Sequence, residues 1–324
     1  MTILTDLRER TRTWHRPSYR FAQLLAGITV LCVLLLVVDQ RTLQGAPIWA
    51  KPFKFAVSGA LYFFTWSWLT SLLPRFRRTA GWLTNLLVVI FAGEYVLMVF
   101  QAVRVRASHF NNATPLDASI FQIMGVMIAT LWVINLVLTI AVLFTRIPDR
   151  ATAWAARIGA VLGMAGISLA TLMSGPTPDQ RAAFEATGTS AMIGAHTVGL
   201  PDGGPGLPIL GWSTVGGDLR IPHFIGLHAL QVLPLLALAL GVLAARYPRL
   251  RDGVLRTRLV LIAGAGYAGL LALLTWQALR GQSIVAPDGL TLTAFALLVA
   301  AVAVSGLIAI GRPSRDRELA RSLR

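Results

Sequence analysis

The residues most able to do chemistry in this sequence are a few histidines and one glutamate that fall within or beside apolar segments. Two of the five histidines, His223 and His228, occupy the stretch RIPHFIGLHALQVLP at residues 220–234. Glu94 lies in a second apolar stretch, FAGEYVLMVFQAVR. Burying an ionisable group in an apolar segment is costly, so each of these residues is a candidate functional residue.

Helical spacing groups these side chains with nearby amides. Gln101 follows Glu94 by seven residues and shares its helix face, and Gln231 follows His228 by three and shares that face. His223 and His228 are five residues apart, which separates them by about 140° around a helix. We therefore expect the two histidines to face different neighbours.

Histidines gathered with a carboxylate permit metal or redox chemistry. Neutral imidazole suits transition metals and haem iron, and a carboxylate can complete the metal shell or accept a proton. The sequence thus predicts a transition metal or haem as cofactor, with Glu94 and His228 as the catalytic pair. The predicted metal ligands are His109, His196, His223 and His228, and the predicted cofactor-binding residues are Arg104, Arg106, Arg220, Gln101 and Gln231.

Sequence motifs do not narrow this chemistry further. The chain has no His-Glu-x-x-His, Cys-x-x-Cys-His, Gly-x-Ser-x-Gly or P-loop pattern. Its single cysteine, Cys32, excludes an intrachain disulfide, a thiolate zinc site and an iron–sulfur cluster.

The composition is that of a multi-pass membrane protein. Of the 324 residues, 55% are hydrophobic and 13% charged, and the mean hydropathy is +0.66, far above that of soluble domains. The net charge of +15 comes from basic residues placed between apolar runs, which indicates membrane topology and not nucleic-acid binding.

Eight segments are long enough to cross a bilayer as helices, since spanning takes about 20 residues. We therefore predict an all-α integral membrane protein, a bundle of about eight transmembrane helices with one long outer loop between helices 5 and 6. The predicted spans are 21–38, 53–73, 81–102, 118–145, 154–174, 222–244, 257–279 and 290–311.

The basic residues divide unequally between the two sides of this bundle. One side, with both termini, carries 21 of the 29 Lys and Arg residues and the other carries 8. The positive-inside rule then places both termini in the cytoplasm and the protein in the plasma membrane. We predict a basic N-terminal segment at 1–20, a transmembrane domain at 21–311 and a basic tail at 312–324.

Helix geometry puts the two candidate catalytic residues at one depth. Glu94 lies ~20 Å from the inner end of its helix, which leaves ~10 Å to the outer surface, and His228 lies ~9 Å from the outer end of its own. The sequence therefore predicts a polar site in the outer leaflet that at least two helices share.

Two outer segments border this site. The outer loop, residues 175–221, is rich in Gly, Pro, Ser and Thr, and Thr177, Pro178 and Gln180 predict the start of an amphipathic helix running to about Ala195. Lys51 and Lys54, the only lysines, begin the second span. They are either interfacial anchors or contacts for an anion or lipid headgroup.

Three functions remain open on these observations. The favoured one is a metal- or haem-dependent membrane enzyme, an oxidoreductase or hydrolase, acting on a lipidic or small-molecule substrate at the outer leaflet. The second is a proton-coupled transporter using Glu94 and His228 as relay groups. The third is a non-catalytic scaffold or lipid-binding protein. In each case the lipid bilayer is a partner and nucleic acid is not.

Overall fold

The computed structural model describes residues 11–311, which form a bundle of eight long α-helices with one short helix in the outer loop. The bounds of the nine helices are α1 Arg16–Val38, α2 Ala50–Ser71, α3 Arg77–Val103, α4 Pro115–Leu143, α5 Arg150–Ser168, α6 Pro178–Thr187, α7 Arg220–Leu243, α8 Gly253–Leu279 and α9 Gly289–Gly311. Residues 1–10, the first half of the predicted basic N-terminal segment, and the tail 312–324 lie outside the described residues.

The predicted all-helical membrane fold is confirmed at this level. Seven described helical segments are long and apolar enough to cross a membrane, and α2 is the predicted span that is not among them. Its two lysines and its hydroxyl residues lower its hydropathy. Yet Phe63 and Trp66 of α2 are at most 1% exposed, because neighbouring helices cover much of this helix. The orientation of the termini and the identity of the membrane stay predictions.

The helices pack in two connected groups. In the first, α2 packs against α1 and α3, and α4 packs against α3. In the second, α5, α7 and α8 pack against one another, and α9 packs on α8. Contacts of α5 with α4, and of α7 with α2, join the two groups. The candidate site lies at one end of this junction.

Small residues bring α5 and α7 into backbone contact. A Cβ atom added to Gly166 would lie 2.3 Å from the Leu227 nitrogen, and one added to Gly159 would lie 2.8 Å from the Ala229 oxygen. Gly226 meets Gly166 from the other side, where an added Cβ would lie 2.5 Å from the Gly166 Cα. Only glycine permits this approach, which fixes the position of α7 and its histidines.

The outer loop is folded over the ends of the helices. As predicted, α6 begins with a capping box in which Thr177 and Gln180 bond each other's backbone. It ends at Thr187 and not near Ala195, because Gly188 adopts a left-handed φ of 71°. Two short antiparallel ladders complete this end: β1 Thr42–Leu43 with β2 Ala46–Pro47, and β3 Thr197–Val198 with β4 Gly217–Asp218.

Candidate functional site

Lys51, in the first turn of α2, is the centre of a polar cluster at the predicted outer end of the bundle. Its Nζ donates to Ser108 Oγ at 2.9 Å and lies 3.0 Å from His109 Nδ1. The Phe55 ring centroid lies 6.0 Å from the same Nζ. Lys51 therefore ties α2 to the link between α3 and α4.

His109 is neutral in this environment. Burial holds the pKa of His109 well below its usual value, and the positive charge of Lys51 lowers it further. A neutral imidazole can accept a hydrogen bond from Lys51 through Nδ1, which a protonated imidazole cannot. The lysine ammonium and the neutral histidine therefore form a consistent donor and acceptor pair.

His196 pairs with a carboxylate within the outer loop. Its Nδ1 lies 2.6 Å from Asp202 Oδ2, and the backbone nitrogens of His196 and Thr197 also donate to that carboxylate. Burial lowers the pKa of His196 more than Asp202 raises it. Although burial opposes ionisation of Asp202, the hydrogen bonds from His196 hold the pKa of Asp202 below its usual range. This pair closes the turn between β3 and Gly203.

Arg220 performs a similar structural task at the start of α7. Its Nε and NH2 groups donate to the two oxygens of the buried Asp218 at 2.9 and 2.6 Å, and NH2 also donates to the Gly211 carbonyl oxygen. Asp218 also accepts from the Ser213 nitrogen. The charge of Arg220 is thus neutralised by Asp218, and the pair anchors the outer loop to α7.

Two other predicted cofactor-binding residues belong to a network between α3 and α4. Gln101 and Asp117 are fully buried, and Gln101 Nε2 donates to Asp117 Oδ1 at 2.9 Å. Arg104 NH1 donates to both the Gln101 amide oxygen and Asp117 Oδ1. Their polar atoms are engaged with protein partners, which favours a structural role. Arg106 is exposed, outside this network.

The two histidines of α7 face different neighbours, as their spacing predicts. His223 Nδ1 lies 2.7 Å from the Gly166 carbonyl oxygen on α5. His228 turns instead toward α2, where its Nε2 lies 3.3 Å from Ser58 Oγ, and its Nδ1 lies 3.1 Å from Gln231 Oε1. Gln231 therefore orients His228 within the same helix.

Glu94 is buried without a full set of hydrogen bonds. Its side chain is 5% exposed, and its Oε1 has no hydrogen-bond partner among the described residues. Lys51 lies within electrostatic reach of Glu94, and also of Lys54, Arg220 and Asp202. Glu94 thus belongs electrostatically to the Lys51 cluster, whereas the polar partners of His228 are Ser58 and Gln231.

The predicted metal ligands are distributed over separate hydrogen bonds. Within residues 11–311, no group of three or more His, Cys, Asp or Glu side chains is placed to hold a metal ion. His109, His196, His223 and His228 each engage a different partner. The metal or haem centre therefore stays a prediction that gains no support from the described geometry.

The described geometry also gives no support to the transporter hypothesis on the inner side of the Lys51 cluster. One turn inward from Ser58, the Tyr62 hydroxyl donates to Asn135 Oδ1 at 2.6 Å. The cavity that these two residues line has a volume of about 10 Å³, which is close to the minimum that one water molecule needs. This cavity does not hold a substrate.

Some residues of this site were not predicted from the sequence. Ser58, Ser108 and Asp202 carry no motif. Ser58 and Ser108 acquire their roles through partners distant in the chain, and Asp202 acquires its role through His196, six residues before it. One signal for Ser58 was available, because it follows Lys51 by seven residues and shares its helix face. Comparison of the chain with protein-family models, with curated proteins and with solved structures finds no match.

Proposed function

We propose that this membrane protein binds the anionic group of an amphiphile, a phosphate or a carboxylate, at the outer end of α2. The observation that carries the proposal is the Lys51 amine, whose pKa burial lowers to about 7, so that a bound anion would favour its charged form. Its ammonium group has three donors, of which Ser108 and His109 take two, and it makes no ion pair with a carboxylate among the described residues. An anion can accept the remaining hydrogen bond of Lys51.

The neighbouring charges support an anion over a cation. Lys54 lies one helical turn from Lys51. Its Nζ donates to the carbonyl oxygen of Leu210, and it forms no salt bridge with a carboxylate of residues 11–311. Arg220 and Asp218 neutralise each other. The outer end of α2 therefore carries two amines that form no salt bridge among the described residues, although carboxylates including Glu94 lie within electrostatic reach.

The setting favours a ligand that belongs to the bilayer. Apolar helices surround the cluster, and exposed leucine and valine side chains cover the outside of α1 and α4. An amphiphile can place its apolar chains among such helices and its headgroup at the level of Lys51. A free anion, such as inorganic phosphate, has the same charged group as a lipid headgroup, so the experiment must distinguish a free anion from a lipid.

Thermal unfolding of the purified protein in detergent tests this proposal. We expect dihexanoyl phosphatidylglycerol, which is anionic, to raise the Tm by roughly a few degrees, because a ligand that binds only the folded state stabilises it. Dihexanoyl phosphatidylcholine, whose headgroup has no net charge, should raise the Tm less. If inorganic phosphate alone gives the full shift, the ligand is a free anion.

A pair of matched variants locates the binding site. Lys51→Met should abolish the response to phosphatidylglycerol. Arg78→Met removes an exposed cation at the opposite end of the bundle and should keep the response. An equal response from Lys51→Met and the unaltered protein contradicts the proposal, as does an equal response to the two lipids.

A further inference from the structure

Ser58 and His228 face each other across the junction between α2 and α7. Ser58 Oγ lies 3.3 Å from His228 Nε2, and both side chains are half-buried. A serine hydroxyl within hydrogen-bond reach of an imidazole is the arrangement that activates a serine nucleophile. The two residues lie 170 positions apart in the chain, so only the packing of α7 against α2 brings them together.

Gln231 fixes the protonation state that this pairing needs. Its Oε1 lies 3.1 Å from His228 Nδ1, and an amide oxygen can only accept a hydrogen bond. His228 therefore carries its proton on Nδ1, and Nε2 presents a lone pair toward the Ser58 hydroxyl. The arrangement of nucleophile, base and orienting acceptor is that of a catalytic triad, with an amide in place of the carboxylate.

The hydroxyl of Ser58 behaves differently from several hydroxyls in the helices, and it shares its pairing with an imidazole with Ser18, whose Oγ lies 2.7 Å from His15 Nδ1. Thr29, Thr65 and Thr130 each donate to the carbonyl oxygen four residues earlier, which is the usual way to satisfy a hydroxyl within a helix. In the described part of the chain, the partner of Ser58 Oγ is His228 Nε2. The Ser58 hydroxyl is thus directed at a base and not at its own backbone.

Ser58 also lies in line with the proposed anion site. Lys51 and Lys54 precede it by seven and four residues, so all three share one face of α2. The helical rise puts Ser58 about 10 Å deeper along the helix axis than Lys51. When Lys51 binds the headgroup of an amphiphile, the less polar part of that molecule therefore lies toward Ser58.

We propose that Ser58 is the nucleophile and His228 the general base of an acyl-ester hydrolase whose substrate is an anionic amphiphile. Gln231 is a positioning residue, because it acts through His228. The choice of an anionic substrate rests on the proposed function of Lys51. The serine chemistry rests independently on the contacts between α2 and α7.

The reaction balances with water as the only co-reactant. Ser58 Oγ bonds to the ester carbonyl carbon while its proton passes to His228 Nε2. The bond from that carbon to the leaving alcohol breaks, and His228 returns the proton to the alcohol oxygen. Water then attacks the acyl-serine and gives a proton to His228. The acyl–Oγ bond breaks, the fatty acid leaves, and Ser58 regains its proton.

Labelling with an uncharged fluorophosphonate tests the nucleophile directly. Phosphonylation of an activated serine by this probe forms an Oγ–P bond and releases fluoride. Mass spectrometry of the labelled peptide then identifies the residue. We expect Ser58 to be labelled in the unaltered protein, and labelling to fall at least tenfold in Ser58→Ala and in His228→Ala. Ser119, an exposed serine that donates to the Pro115 carbonyl oxygen, provides the control variant Ser119→Ala, which should label normally.

The test of Gln231 must distinguish a residue that positions His228 from one that only stabilises the fold. Gln231→Ala should slow labelling about tenfold and change its pH profile, since His228 loses the acceptor that fixes its tautomer. Gln231→Glu keeps an acceptor oxygen for Nδ1 and should restore the labelling rate. Equal labelling rates in Gln231→Ala and the unaltered protein contradict the positioning role.

The outcomes separate this inference from the anion-binding proposal. Folded protein whose Tm responds to dihexanoyl phosphatidylglycerol, but in which Ser58 is not labelled and hexanoate is not released, overturns the hydrolase and leaves anion binding intact. Labelling that persists in Ser58→Ala also overturns it. If Ser58 is labelled but the Tm does not respond to the anionic lipid, the proposal of an anionic substrate is wrong, and the assignment of Ser58 as the nucleophile stands. Lys51→Met should still label at Ser58, because the probe has no anionic headgroup.

Discussion

His109 couples the stability of the outer cluster to pH. Because burial and the charge of Lys51 keep its pKa well below the usual 6.5 or so, the folded protein resists protonation that the unfolded chain accepts. The free energy of unfolding therefore falls as pH drops below about 6.5, by up to about 1.4 kcal/mol per pH unit for one histidine. We expect the Tm to decrease between pH 7 and pH 5.5.

His109→Gln isolates the contribution of this histidine. Glutamine does not titrate, and its amide oxygen can still accept the hydrogen bond from Lys51. The variant should therefore lose less stability than the unaltered protein over the same pH range. Parallel Tm curves for the two proteins would show that His109 titrates alike in the folded and unfolded states.

The sequence predicted candidate side chains better than it predicted their partners. Glu94 and His228 are recognisable because ionisable groups are rare in apolar helices, and the separation of His223 from His228 follows from helical angle alone. Asp202 and Ser58 were missed, since the first is one carboxylate in a polar loop and the second one small residue in a helix. The role of Ser58 depends on a contact that forms only after the helices pack, and that of Asp202 depends on how the outer loop folds.

Among the elements, the contact between α5 and α7 determines where the proposed base lies. Gly166→Ala would place a Cβ atom 2.3 Å from the Leu227 nitrogen and 2.4 Å from the Gly226 carbonyl carbon. Neither atom belongs to a flexible side chain, so the helices must separate. We expect a loss of about 1–3 kcal/mol in stability, measured as a lower Tm, together with weaker labelling of Ser58.

Gly125→Ala is the matched control for this substitution. Gly125 also lies in a long helix, α4, but no atom lies within 4 Å of an added Cβ. Alanine is the better helix former, so this variant should keep or slightly raise the Tm. A Tm loss in Gly125→Ala as large as that in Gly166→Ala would mean that helix contact is not the cause.

Hydropathy predicted the elements well, with α2 as an instructive exception. Its bounds match the predicted second span within a few residues, yet it is the one long helix of the described residues that does not qualify as a membrane span by length and hydropathy. A helix covered by protein does not need a lipid-like surface, and it can carry groups such as Lys51 and Ser58. Segment hydropathy cannot distinguish a covered helix from an exposed one before the bundle is assembled.

For the whole molecule, the distribution of basic residues makes a testable prediction about orientation. In a Cys32→Ala background, Gly204→Cys in the outer loop should react with a membrane-impermeant maleimide on intact cells. Arg78→Cys, at the opposite end of the bundle, should react only after lysis. The reverse labelling pattern would put both termini outside.

The outer loop has a consequence for how a ligand arrives. Hydrogen bonds tie it to α2 through Lys54 and Leu210, to the link between α3 and α4 through Asn112 and Ala191, and to the link between α8 and α9 through Ser213 and Ser283. With the loop fixed at three places over the helix ends, we expect an amphiphile bound at Lys51, as proposed, to enter from the side of the bundle. For the proposed amphiphile, the quantity that governs occupancy is then its mole fraction in the leaflet, so dilution of the medium should matter less than a change in lipid composition.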